Sequence, residues 1–150
     1  RAFVDRCAEW FRRQGGNVIH RSPYIVAAAM RFDERLAAMP AYFERTRFLY
    51  DALRAHPQIR VNPAAPQANM LHLHLPVARE RALGIRDALA REHGVWMFNR
   101  AMHGALPATS VVEIYVGDNL LALADDAVHG ALRLFAGALP NARMTDCPNP

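Results

Sequence analysis

The spacing of apolar side chains in the first third of the chain predicts helices. Residues 2–14 are apolar on one side at three- and four-residue intervals, and this pattern ends at Gly15 and Gly16, which accept the left-handed conformation of a helix terminus. Ser22, which a proline follows, is typical of the start of a second helix. Pro40 is interpreted as the first residue of a third helix, because proline is favoured at that position.

The pattern changes after residue 57. Residues 69–75 alternate, so that three leucines share one side of a predicted strand and His72 and His74 share the other. Residues 78–93 return to helical spacing, and Gly94 is predicted to end that helix. The remaining predicted elements are strands at 58–62, 95–98 and 110–116, a turn at 117–119, and a last helix that Asp125 caps.

This order of elements predicts an α+β fold, in which leading helices precede a small antiparallel or mixed sheet covered by helices. We expect residues 1–57 to form a helical segment, residues 58–140 to form a small α+β domain, and the polar residues 141–150 to form a loose tail. The 150 residues, 52% of them hydrophobic and 21% charged, are enough for a sizeable core and exclude a disordered chain.

Composition favours a cytoplasmic protein. Because no run of about 18 apolar residues occurs, no membrane span is expected. Charged residues interrupt the N-terminal segment, so it lacks the pattern of a signal peptide. Cys7 and Cys147 lie at opposite ends without metal-ligand spacing, which is typical of free thiols in a reducing compartment.

The basic charge of the chain is scattered. The net charge is +4, and Arg12 and Arg13 are the only adjacent pair of arginines. No basic block is interleaved with aromatic residues, so no nucleic-acid partner is expected. All 18 basic residues other than histidine are arginines, so the chain contains no lysine. This excludes a lysine Schiff base or a lysine general base within the chain.

Two groups of residues are candidates for binding. His72 and His74 point the same way on a strand and could hold a metal ion if His103 or Glu113 supplied a third ligand. The same pair also fits the polar face of a sheet, and two ligands alone do not assign a metal site.

Trp10 and Trp96 are interpreted as core or interface anchors.

The glycine pair after the first predicted helix is the second group. Gly15 and Gly16 could offer backbone N–H groups to an anion, with Arg21 close behind. A helix stop followed by a surface charge explains these residues equally well.

Several short runs resemble one enzyme family. The resemblance rests on their order and covers residues 1–138. The runs are Trp10–Asn17, Pro23–Ala29, Arg35–Met39, Asn69–Leu75, Gly94–Phe98 and Glu113–Asp118. Together they resemble the C-terminal portion of the threonine aldolase and β-eliminating lyase family, which are pyridoxal-phosphate enzymes of the aspartate-aminotransferase fold type (fold type I).

The resemblance implies an activity for a longer protein. In this family a lysine holds pyridoxal phosphate, and the cofactor acts as an electron sink while a bond of an amino acid substrate breaks. For an aldolase, a β-hydroxy amino acid such as threonine gives glycine and an aldehyde. The family's lysine lies upstream of the run at Trp10, so this chain is expected to begin after it and to be inactive alone. Members act as dimers or larger assemblies, so a homodimer or homotetramer is expected.

The resemblance also implies site residues. Gly15, Gly16 and Arg21 are expected near the cofactor phosphate. Ile114 stands where the family has an arginine that binds the substrate carboxylate, which puts threonine itself in question as substrate. Arg100 is the candidate substitute, with Arg21 as another. The alternative hypothesis is a stand-alone α+β binding or interaction module, with or without a metal at His72 and His74.

Overall fold

The computed structural model describes residues 2–14 and 21–141. The helices are α1 (Ala2–Arg13), α2 (Ser22–Arg54), α3 (Arg79–His93), α4 (Asp118–Leu121) and α5 (Asp125–Ala138). The strands are β1 (Arg60–Asn62), β2 (Met70–Leu75), β3 (Ala101–His103) and β4 (Ser110–Tyr115). The predicted α+β class is therefore confirmed, with leading helices followed by a small sheet.

The sheet is antiparallel throughout and has the strand order β1-β2-β4-β3 within the described residues. Its central strands β2 and β4 pair over six residues each, whereas the edge strands β1 and β3 are three residues long. Along β2 the three leucines are buried and the histidines are half-buried, as the alternation predicts. The sheet thus has a core face and an outer face.

The hydrophobic core lies between the core face of the sheet and three helices. Leu53 of α2, Ile85 of α3 and Phe135 of α5 are all 5% exposed or less. Phe135 also meets the ring of Phe98 edge-on, with centroids 5.9 Å apart. The buried residues of α3 and α5 follow the helical spacing predicted for residues 78–93 and for the last helix.

The described residues divide into two compact units, one within Arg1–Ala38 and one within Met39–Pro150. No described residue of the first unit is buried, whereas the second unit contains the core. Leu49 and Leu53 of α2 belong to that core. The domain boundary between residues 57 and 58 stays a prediction. No helix among the described residues is long and apolar enough to span a membrane.

The prediction of two helices between residues 22 and 56 is wrong. A single helix, α2, runs through Pro40. Proline has no backbone N–H, so one i→i−4 hydrogen bond is missing at this point. The flanking residues are good helix formers, and they keep the helical conformation on both sides of the proline.

The strand predicted at 95–98 is also wrong. Among the described residues this run has no strand partner, and the strand of this region is β3, at Ala101–His103. Instead of a turn, residues 118–121 form the short helix α4, and Asp125 is the first residue of α5 rather than its cap. Trp10 and Trp96 are 62% and 58% exposed, so neither is a core anchor.

Candidate functional site

The structure places the predicted site residues in separate parts of the chain. Gly15 and Gly16 lie outside the described residues. Arg21 is exposed just before α2, where its carbonyl oxygen accepts a hydrogen bond from Ile25 N at 3.0 Å. Arg100 is exposed just before β3. Arg21 and Arg100 belong to different compact units.

The segment that leads to Arg100 is held by side chains instead of a strand ladder. Gly94 ends α3 in the left-handed conformation, with φ of 66°, and its N–H donates to the carbonyl oxygen of Ala90. The Arg86 guanidinium lies 4.4 Å from the ring centroid of Trp96 and donates to the carbonyl oxygen of Asn99 at 2.6 Å.

Further contacts complete this brace. Trp96 Nε1 donates to Asn99 Oδ1 at 2.9 Å, and Arg86 Nε donates to Asp87 Oδ1 at 2.8 Å. The Arg86 side chain is only 13% exposed, although Trp96 and Asn99 themselves are exposed. A side chain at position 100 therefore extends from a backbone that the preceding residues fix.

Ile114 lies on the core face of the sheet. Its register partner is Leu71, which is fully buried, and Ile114 packs against the core. A guanidinium at this position would face apolar neighbours, where an unpaired charge is costly. The sheet geometry therefore explains an apolar residue at 114, with its neighbours Glu113 and Tyr115 on the outer face.

The outer face of the sheet gathers titratable side chains. Arg60 is the register partner of His74, and Glu113 is the partner of His72. His72 Nε2 lies 3.4 Å from Glu113 Oε2. Burial lowers the pKa of the His74 imidazole, and the nearby positive charge of Arg60 and the His72 imidazole lower it further.

The geometry does not support a metal at His72 and His74. His103 pairs with Ser110, which pairs with the buried Leu75, so His103 belongs to the core side of the sheet and not to the face of the two histidines. Within residues 2–14 and 21–141, no group of three His, Cys, Asp or Glu side chains is arranged to hold a metal ion.

An apolar cavity of about 260 Å³ opens beside the core of the second unit. Its walls come from α2, the segment after α3, β4, and the α4–α5 region. Representative lining residues are Leu49, Trp96, Ile114, Leu123 and Val128. Because its lining is apolar, this cavity favours apolar groups over water.

Comparison with known proteins shows which solved structures this chain is similar to. No family model matches the sequence. No curated protein matches it either. Two solved structures are similar over nearly the whole chain. One is a proposed aromatic amino acid beta-eliminating lyase/threonine aldolase from Exiguobacterium sp. 255-15, with 26% identity and a TM-score of 0.74 over 93% of this chain. The predicted resemblance is confirmed.

The second solved structure points to the same aldolase group. It is a proposed L-allo-threonine aldolase from Listeria monocytogenes EGD-E, with 25% identity and a TM-score of 0.74 over 92% of this chain. The chain spans 39% and 38% of the lengths of these two aldolase-like proteins. The chain thus matches part of each of these longer proteins.

Sequence reasoning missed Arg86 and Arg60 in this aldolase-like chain. Arg86 is one of several arginines within the helix predicted at 78–93, and only the path of the chain after Gly94 brings Trp96 onto it. Arg60 lies opposite His74 because of the β1–β2 register, which no local pattern in the sequence encodes. The alternation that placed His72 and His74 on one side was the available signal for this face.

Proposed function

We propose that this chain is the C-terminal part of a pyridoxal-phosphate-dependent lyase or aldolase. The reaction proposed for the longer protein is cleavage of a β-hydroxy amino acid, such as threonine, into glycine and an aldehyde. The observation that carries this proposal is the similarity in fold and sequence to the two aldolase-like structures over more than nine-tenths of the chain.

The residues of this chain do not fit a complete cofactor site. The sequence has no lysine, so no side-chain amine is present to form a Schiff base with pyridoxal phosphate. We therefore assign no bond-breaking step to this chain, and we propose that the chain alone is inactive. Any covalent attachment would come from a part of the protein outside these 150 residues.

The role we propose for this chain is ionic binding. Arg21, with Gly15 and Gly16, is proposed to approach the cofactor phosphate, and Arg100 is proposed to bind the substrate carboxylate. Support for Arg100 comes from its exposed position and from the braced segment before it, since a guanidinium binds a carboxylate through two parallel N–H donors when its backbone is fixed.

We also propose a homodimer or homotetramer in the cytoplasm, with an amino acid as the small-molecule partner. Support comes from large apolar side chains exposed on the first unit, including Phe3 at 70%, Trp10 at 62% and Met30 at 78%. Apolar surfaces of this extent are typical of interaction sites.

Reductive trapping tests the proposed lack of a cofactor anchor. The 150-residue chain is mixed with pyridoxal phosphate and then with borohydride, and intact mass and peptide mapping locate any adduct. We expect no adduct on a side chain, because only the N-terminal amine is available. An N-acetylated chain is the matched control and should remain unmodified. A stoichiometric, stable adduct on an internal residue would contradict the proposal.

The activity is tested on a protein that joins this chain to its upstream coding sequence. We expect that protein to bind pyridoxal phosphate and to release an aldehyde from a β-hydroxy amino acid. Arg100→Gln should raise KM about tenfold or more while kcat changes less, because a charged hydrogen bond to the substrate is lost. Arg81→Gln, on the exposed side of α3, is the control. A longer protein that binds no pyridoxal phosphate would refute the proposed function.

A further inference from the structure

The chain on either side of Arg100 is anchored in the core. Phe98, two residues before it, is 4% exposed and meets the ring of Phe135 edge-on. Ala101, the next residue, is 5% exposed and begins β3, where it is paired with Val112 of β4. The exposed side chain of Arg100 therefore leaves a segment whose neighbouring apolar side chains are fixed.

Two arginines of α3 bind the backbone carbonyl groups that flank Arg100. Arg86 Nη1 donates to the carbonyl oxygen of Asn99 at 2.6 Å, and Arg79 Nε donates to the carbonyl oxygen of Ala101 at 3.0 Å. The two arginines are seven residues apart in the sequence, which is about two helical turns, so both side chains leave the same side of α3. One side of a single helix thus holds the backbone both before and after residue 100.

Neighbouring acidic and aromatic side chains orient the two guanidinium groups. Arg79 Nη1 donates to Glu80 Oε1 at 3.1 Å, and Arg86 Nε donates to Asp87 Oδ1 at 2.8 Å. The Arg86 guanidinium also lies 4.4 Å from the ring centroid of Trp96. Because a guanidinium is planar and carries several N–H donors, it can bind a backbone carbonyl and a second partner together.

We propose that Arg79 and Arg86 are positioning residues for the substrate carboxylate, which act by fixing the backbone on both sides of Arg100. Bidentate binding of a carboxylate needs two parallel N–H donors, and a binding group that is ordered before the ligand arrives loses less entropy on binding. Neither positioning residue touches the substrate. This inference rests on the carboxylate-binding role proposed for Arg100 and adds the residues through which the fold sets the place of its guanidinium.

Backbone ¹⁵N relaxation of the 150-residue chain tests the fixing of the backbone directly. The N–H groups of residues 100 and 102 belong to the same peptide groups as the two bound carbonyls. We expect their order parameters to be about 0.85 in the wild type and to fall toward about 0.6 when Arg79→Gln and Arg86→Gln are combined. Circular dichroism checks that the fold is retained, and Arg81→Gln, at an exposed position of α3, is the control. Unchanged order parameters in the folded double variant would overturn the inference.

Kinetics of the protein that joins this chain to its upstream coding sequence test the effect on the substrate. Arg79→Gln and Arg86→Gln should each raise KM about three- to tenfold while kcat changes less, because carboxylate binding weakens and the bond-breaking groups are untouched. Arg81→Gln should leave both constants unchanged. A purely structural role would reduce the fraction of active protein, and hence the apparent kcat, without a change in KM.

Combination with Arg100→Gln shows whether the two arginines act through Arg100. In an Arg100→Gln background, adding Arg86→Gln should change KM by less than about twofold, because the guanidinium to be positioned is gone. Equal increases in KM in both backgrounds, or an unchanged KM in the single variants, would overturn this inference and leave the proposed function in place. A wild-type longer protein without activity would overturn both, so the two failures are distinguishable.

Discussion

At the scale of single residues, Arg86 is the main support of the segment between α3 and β3. It stacks on Trp96, donates to the Asn99 carbonyl and pairs with Asp87, all from a side chain that is 13% exposed. A cation–π contact contributes about 0.5–2 kcal/mol, and a hydrogen bond about 1 kcal/mol. The Arg86 side chain thus holds this segment in place, as hydrogen bonds to a neighbouring strand hold a strand.

We expect Arg86→Gln to lower the free energy of unfolding by about 1–2 kcal/mol, because the stacking and the charged hydrogen bonds are lost together. Urea unfolding measures this change, and the fluorescence of Trp96, in a Trp10→Phe background, reports whether the indole is released. Arg81→Gln on the same helix is the matched control and should change stability by less than about 0.5 kcal/mol. Equal effects of the two substitutions would show that Arg86 is only a surface charge.

At the scale of elements, a substitution of Pro40 tests whether α2 is one continuous helix. Proline in a helix interior is about 3 kcal/mol less favourable than alanine, and Pro40 is exposed, so few packing contacts depend on it. We therefore expect Pro40→Ala to stabilise the chain by about 1–3 kcal/mol in urea unfolding and to raise its helical circular dichroism.

The control for this prediction is Pro57→Ala, which changes an exposed proline beyond the end of α2 and should have a much smaller effect. If Pro40→Ala destabilised the chain, Pro40 would be the first residue of a separate helix, as its local sequence suggests.

The sequence predicted well those elements that show their hydrophobic periodicity within a single stretch of the chain. The leucines of β2 and the buried positions Ala82, Ile85 and Leu89 of α3 follow directly from periods of two and about 3.6 residues. The strand prediction at 95–98 is wrong, because a short apolar run does not show whether a partner strand lies beside it. The partner of this run is Arg86, a side chain on the preceding helix.

The candidate site follows the same division. Alternation along β2 was sufficient to place His72 and His74 on one side of the sheet. It could not show that His103 lies on the other side or that Arg60 faces His74, because both depend on pairing between distant strands. Likewise, the sequence does not show that Ile114 faces the core, because this depends on its pairing with Leu71.

At the scale of the whole molecule, the two compact units differ in how far their residues are buried and so protected from proteolysis. None of the described residues in the first unit is buried, and its arginines at positions 6, 12, 13 and 31 are exposed. In the second unit, the side chains of Arg45 and Arg86 are 10% and 13% exposed, and its exposed arginines, such as Arg81 and Arg100, lie in a unit that has a buried core. Since proteolysis requires exposed backbone or local opening, the two units should differ in their rates of cleavage.

Trypsin tests this difference directly, because a chain without lysine is cut only after arginine. We expect early cleavage in the first unit and a persistent fragment that contains residues 60–133, identified by mass spectrometry. Chymotrypsin, which cuts after aromatic residues, is the control and should also cut first near Phe3 and Trp10. Cleavage of both units at the same rate would contradict the assignment of the core to the second unit.

The lengths of the edge strands determine how copies of this chain can associate. β1 and β3, the two borders of the sheet, offer only three residues each to an incoming strand, and the six-residue strands β2 and β4 are fully paired with each other. So short a border gives little template for edge-to-edge pairing, which protects the sheet from growing into fibrils. We therefore expect any association through this unit to use side-chain surfaces and not strand edges.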